Sequence, residues 1–192
     1  MAQVKKFAAA ALLVSASALV SAQSPTSSIY ARLGVQFPTG SEARDSVARS
    51  GFFGAVGYNL KNRAFVSPLA SPSVEVFFGN VRGDGNEINQ FGLQYVERVP
   101  FGNATSTGTG AYFGYGLGLQ VTNVDIRTTI PGQGGSGGGI SILDARRTVI
   151  AGELIVGYRF TPQIFAEASL RLSQNVSGVN TNSLNLLVGY RF

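Results

Sequence analysis

The chain has 192 residues, with 15 basic and 10 acidic side chains and neither histidine nor cysteine. Those two absences exclude a histidine general base, a thiolate nucleophile, a disulfide framework and the usual zinc ligands. What remains is rich in glycine (25), phenylalanine (13) and tyrosine (7), lacks tryptophan and is only 13% charged.

The N-terminal MAQVKK supplies Lys5 and Lys6, the run from Phe7 to Val20 is apolar apart from two serines, and Val20-Ser21-Ala22 closes it with small residues. This layout predicts a secretory signal peptide over residues 1–22, cleaved after Ala22. A membrane anchor, the other reading, asks for about 20 apolar residues in a row, more than this run offers. Residues 23–192 then form a single domain. Without the two lysines the basic groups fall from 15 to 13 against 10 acids, a net charge of +3. With no basic cluster, no nucleic-acid partner is expected.

From residue 29 onward the apolar residues alternate. IYARLGVQF sets Ile29, Ala31, Leu33, Val35 and Phe37 against Tyr30, Arg32, Gly34 and Gln36. GFFGAVGYNL sets Phe52, Val56, Tyr58 and Leu60 against Phe53, Ala55, Gly57 and Asn59. SVEVFFGNV (73–81) opposes Val74, Val76 and Phe78 to Glu75, Phe77 and Gly79, and INQFGLQYV (88–96) opposes Phe91, Leu93 and Tyr95 to Gln90, Gly92 and Gln94. AYFGYGLGLQVTNV (111–124) places Phe113, Tyr115, Leu117, Leu119 and Val121 on one face and Tyr112, Gly114, Gly116, Gly118, Gln120 and Thr122 on the other. The same pattern recurs from Thr148 to Phe160, from Ile164 to Ser173 and from Leu184 to Phe192. Period-2 alternation is the mark of a strand with one apolar face. These eight strands are close to the roughly 9–11 residues that a tilted strand needs to cross a bilayer.

A soluble sandwich would put the mixed face in water and leave sheet edges to be managed. A membrane barrel turns the apolar face to lipid and closes its sheet, because hydrocarbon pairs with no backbone group. The mixed face carries Gly, Gln, Arg, Glu and a few Phe but no lysine, and the apolar face carries essentially no charge until the strand ends, which favours the barrel. Connections after odd-numbered strands are polar or glycine-rich: 38–50, 83–87, 126–147 with GQGGSGGG, and 175–182. One connection after an even strand is very tight, at Thr161-Pro162-Gln163, whereas 61–72 and 97–110 are longer. An even strand count puts both termini on one side, expected to be the periplasm of a diderm bacterium.

The signal-like N-terminus, the eight alternating strands and the last strand LNLLVGYRF resemble the small eight-stranded outer-membrane β-barrels, the class of the OmpA transmembrane domain and OmpX. The resemblance implies an all-β, antiparallel, up-and-down transmembrane barrel over residues 23–192. It implies outer-membrane lipids and, during biogenesis, the barrel assembly machinery as partners, with Leu184, Leu186, Val188, Tyr190 and Phe192 as the assembly signal.

The barrel reading also orders the remaining motifs. Glu75, Glu153, Glu167, Arg32, Arg159, Arg171 and Arg191 point inward. A three-residue loop at 161–163 sets a register in which Glu153 lies opposite Arg171. The two readings of these charges are mutual neutralisation and an ion path or gate; the inward glycines leave room for water, while an eight-stranded barrel encloses little beyond its own side chains. VGYRF occurs at 156–160 and 188–192, with VGYNL at 56–60, so Tyr58, Tyr158 and Tyr190 are expected in the aromatic girdle of one membrane interface. GQGGSGGG lacks the Lys-Ser/Thr of a phosphate loop. No enzyme activity and no cofactor or metal is expected. Two function classes stand: a structural or surface-interaction barrel, and a narrow porin-like channel for small solutes.

Overall fold

The computed structural model describes residues 28–60, 64–65, 69–101, 108–130 and 139–192. The expected signal peptide at 1–22 and nearly all of GQGGSGGG lie outside the described residues. Eight strands form: β1 (Ile29–Pro38), β2 (Gly51–Asn59), β3 (Ser71–Gly83), β4 (Asn86–Pro100), β5 (Gly110–Ile130), β6 (Gly139–Arg159), β7 (Ile164–Ser173) and β8 (Ser183–Arg191), with one short helix, α1 (Ser41–Ser46). Each strand pairs antiparallel with its sequence neighbour, and β8 pairs with β1 from Tyr30↔Arg191 to Pro38↔Ser183. The sheet is a closed barrel, so among the described residues no strand of it is left as an edge.

The faces follow the alternation. Leu33, Leu93, Leu117, Ile150 and Val188 stand exposed on the outer wall, whereas Arg32, Gln94, Gln120, Glu153 and Arg171 are buried inside. The β6–β7 hairpin has the expected register: Glu153 lies opposite Arg171, Phe160 N–H donates to Ile164 O, and Thr161 Oγ1 accepts the Gln163 and Ile164 amides.

Parts of two segments expected to be loops are strand instead. Of 126–147, residues 126–130 extend β5 and residues 139–147 extend β6, giving 21 residues each, about twice what a bilayer crossing requires. Along β5 the polarity of the faces inverts at about Thr122: Val124 and Ile126 point inward while Asn123, Asp125 and Arg127 face out. Likewise Val81 of β3 and Ile88 of β4 are buried inside, with Asn80 and Glu87 hydrogen-bonded to each other on the outside. The stretch 83–87 reduces to the two-residue turn Asp84-Gly85, both with positive φ (50° and 82°), the type I′ geometry that Asp-Gly favours. At the other end, β4 runs on to Pro100 through part of the expected loop at 97–110.

The end of the barrel that carries Ile29 and Arg191 is called here the terminal end, and the opposite one the distal end. At the distal end Ala43 and Val47 from the α1 segment and Val176 and Val179 from the β7–β8 connection pack on Val81, Ile88, Val124, Ile126 and Val149. These residues form an apolar plug across the distal mouth. Gln90 Nε2 donates to Thr181 O at 2.8 Å, tying the β7–β8 connection to the lumen wall.

Candidate functional site

The middle of the lumen is occupied by a network of ionised side chains supplied by five strands. Arg32 of β1 is fully buried and reaches three carboxylates: Nη2 lies 2.6 Å from Glu75 Oε2 and 2.7 Å from Glu153 Oε2, and Nη1 lies 2.9 Å from Glu167 Oε2. Arg98 of β4 forms a second tie, with Nη2 2.8 Å from Glu75 Oε1 and Nε 2.7 Å from Glu167 Oε1. Tyr30 and Tyr112 donate their hydroxyls to Glu75 and Glu167. Gln94 Nε2 donates to Glu75 and Glu153 at 2.7 and 2.5 Å.

Arg171 lies opposite Glu153 as the register requires, yet its bond to that carboxylate is loose at 3.7 Å. Its nearer partners are Gln120 Oε1 at 2.8 Å and Gln94 Oε1 at 3.0 Å, and its guanidinium sits 3.5 Å from the centroid of the Phe77 ring. Phe77 stacks on Phe53, the other inward ring of this layer. Direct opposition across a ladder therefore does not decide who neutralises whom. Long side chains reach across the lumen axis, and Arg32 takes Glu153 from the far wall.

Three arginines and three glutamates thus cancel in the centre. Charges removed from water are tolerable only with near-complete hydrogen bonding, and taking away one member of such a set costs about 3–5 kcal/mol. The three glutamates converge but are saturated by guanidinium, hydroxyl and amide donors; among the described residues no cluster of acidic side chains is arranged to hold a metal. The space beside two of the inward glycines is narrow. A Cβ on Gly116 would lie 3.1 Å from Val96 Cγ2 and 3.5 Å from Glu153 Cβ, and one on Gly114 would lie 3.3 Å from both Arg98 Cγ and Ile155 Cβ. Neighbouring atoms stand close to the positions where those two glycines lack a side chain.

Arg159 and Arg191, expected within the same network, lie at the terminal end, next to Arg98 and Tyr112 of the network. Arg159 donates to Gly108 O at 3.1 Å and lies over the Tyr112 ring, and both arginines border an open recess there. Arg98 is the network member that sequence reasoning missed. The inward series Gln90, Gly92, Gln94, Val96 continues to it, but the residue falls in the connection expected at 97–110.

Tyr58, Tyr158 and Tyr190 face outward at the terminal end, the last two beside Phe160 and Phe192 with ring centroids 5.1 and 5.2 Å apart. Leu184, Leu186 and Val188 are exposed on the same outer wall, with Phe192 N–H bonded to Ile29 O at 3.0 Å. The outer wall also contains one carboxylate that the strand pattern did not anticipate. Glu97 is fully buried, accepting hydrogen bonds from Tyr95 OH (2.5 Å), Tyr115 OH and Phe65 N–H (2.5 Å), so its charge is covered by neighbours on the wall itself.

A closed, even-numbered antiparallel barrel with an apolar exterior and charged side chains in its interior defines a β-barrel of the outer membrane. The chain belongs to the family described as outer membrane protein beta-barrel domain, whose model matches residues 7–192. That family places it in the outer membrane of a Gram-negative bacterium. Among solved structures it is similar to the N-terminal β-barrel domain of Pseudomonas aeruginosa OprF, with 18% identity over 86% of this chain and 98% of that one and a TM-score of 0.54. It is also similar to Ail, the attachment invasion locus protein of Yersinia pestis, with 14% identity over 86% and 97% and a TM-score of 0.52. At these identities the likeness is one of fold. No curated protein matches the sequence.

Proposed function

We propose that the protein is a non-conducting, non-catalytic barrel of the outer membrane whose role is structural or one of surface contact, made through its distal end. The observation that carries this reading is the occupied lumen: Arg32 is fully buried among three glutamates at mid-height, and an apolar plug closes the distal mouth above it. An ion crossing this path would have to break a neutral, saturated network and then pass a dry cluster, each step costing several kcal/mol. Both termini lie on the periplasmic side, and the β5–β6 hairpin projects outward from the cell; its length beyond the bilayer supports this direction. Outer-membrane lipids contact the apolar wall. The last strand, through Leu184, Leu186, Val188, Tyr190 and Phe192, is what the barrel assembly machinery reads, and Tyr58, Tyr158 and Tyr190 sit at the periplasmic interface.

Planar-bilayer recording of the refolded protein tests this. No reproducible single-channel steps are expected. Steps that recur and disappear in Gly116→Phe, where the added ring would obstruct the lumen, overturn the reading in favour of a narrow channel.

A further inference from the structure

Glu97 stands where the pattern of the wall forbids a charge. Its side chain points outward; the outward positions before it on β4 are Tyr95 and Leu93, and it pairs across the ladder with Tyr115, whose next outward neighbour on β5 is Leu117. Leu93 and Leu117 are exposed on the lipid-facing wall. An ionised carboxylate beside them has little water to solvate it and persists only if the protein supplies its donors. Two come from the wall itself: Tyr115 OH donates to Oε2, and Tyr95 OH donates to Oε1 at 2.5 Å. Another comes from outside the barrel, where Phe65 N–H donates to the same Oε1 at 2.5 Å.

That amide belongs to the β2–β3 connection at the terminal end. Leu60 N–H donates to Pro72 O at 2.8 Å and closes the base of the connection, and Pro72 lies opposite Glu97 on the ladder. From this base the chain folds back along the outside of the wall, and the Phe65 ring meets the Tyr95 ring edge-on with centroids 5.3 Å apart. The Phe65 ring is nevertheless 84% exposed, and Leu69 of the same connection is exposed as well. A backbone N–H drawn against a lipid-facing wall needs a partner as much as a carboxylate there does. The two needs meet in one bond. The exposed ring is then continuous with the apolar surface of the strands, and the medium that suits it is the one that suits them.

We propose that Glu97 is a hook that holds the β2–β3 connection against the outer wall, so that Phe65 enters the periplasmic leaflet of the membrane as an anchor. The partner is the lipid of that leaflet, met at the boundary between headgroups and acyl chains, where exposed aromatic rings are favoured. The hook rests on the membrane orientation proposed above and adds to it a contact made by a connection rather than by a strand.

The chain has no tryptophan, so Phe65→Trp places a lone indole at the site. The protein is refolded into phosphatidylcholine nanodiscs, both faces of which meet the solvent, and read with two quenchers: brominated phosphatidylcholine in the bilayer and iodide in the water. Quenching by the brominated lipid with protection from iodide is expected. Leu117→Trp, on the strand wall, serves as the reference. If its indole also escapes the brominated lipid, the membrane placement fails and the hook with it; if its indole is quenched while the one at position 65 answers to iodide, the hook alone is overturned. Protection at position 65 from both quenchers means that a protein surface covers it, and overturns lipid as the partner. With Phe65 retained, Glu97→Ala is expected to speed hydrogen exchange of the Phe65 amide about tenfold, the loss of one charge-assisted bond. If that variant does not reach the folded form, recognised by its heat-modifiable gel mobility, Glu97→Gln replaces it, with an acceleration of about threefold. Exchange that the substitution leaves unchanged overturns the hook.

Discussion

The two halves of β5 obey opposite rules within one strand. From Tyr112 to Val121 the outward residues are Phe113, Tyr115, Leu117, Leu119 and Val121, and the inward ones are Tyr112, three glycines and Gln120. From Thr122 on, the outward residues are Asn123, Asp125 and Arg127, and the inward ones include Val124 and Ile126. The pleat is unbroken; only the medium outside it changes. Where the wall meets lipid, polar groups retreat to the lumen and must saturate one another there. Where it meets water, the interior becomes an ordinary dry core, roofed by the α1 segment and the β7–β8 connection. The barrel is an inverted protein below the switch and a conventional one above it.

Breaking the lower interior has the largest expected effect. Arg32→Met leaves Glu75, Glu153 and Glu167 short of a shared cation and is expected to destabilise the barrel by about 3–5 kcal/mol, read as a lower urea midpoint for unfolding from lipid vesicles. A variant as stable as the parent would mean that the network is not what holds the lumen. The position of the switch is tested from outside. Leu117→Arg, on the lipid-facing wall, is expected to cost about 2–4 kcal/mol, whereas Asn123→Arg, six residues along the same face, should cost no more than about 1 kcal/mol. Equal costs would move the membrane boundary.

The floor of the lumen is probed by Gly189→Ala. Its Cβ would strike the Phe165 ring, and the overpacking is expected to cost about 1–3 kcal/mol in the same assay. No change there would mean that the ring moves aside freely. The smallest effect belongs to the distal core. Ile88→Val should cost about 0.5–1.5 kcal/mol, felt as faster hydrogen exchange at the Val176 and Val179 amides, which bond to each other across the roof, and not at the β1 amides flanking Arg32. Uniform acceleration would show that the two halves unfold as one.

The strands, their facing and the β6–β7 register were legible because alternation is a local property: each residue's side follows from its neighbour's. The missed extension of β5 and β6 had the same local signature in VTNVDIR, but with its polarity reversed, and a reversed pattern dense in charge reads as loop when only one medium is assumed. Arg98 was lost at a strand end because 97–110 was read as a connection, whereas β4 runs on to Pro100, which the end of a ladder tolerates. The partners of the central charges were not legible at all. Glu153 faces Arg171 on the ladder and binds Arg32 from the opposite wall.

By itself the amino-acid sequence determined that eight strands form, which side of each meets lipid, and that charged groups of both signs share the interior. Those outcomes depend on period and composition along the chain. Only the tertiary structure decided that the central charges balance three to three, that the distal mouth is closed by two connections folding inward, and that the three VGY copies bring Asn59, Arg159 and Arg191 around one recess. These depend on closure: bending the sheet into a narrow barrel sets residues from β1, β4, β6 and β7 within hydrogen-bond reach across its axis, a distance that no spacing in the sequence encodes.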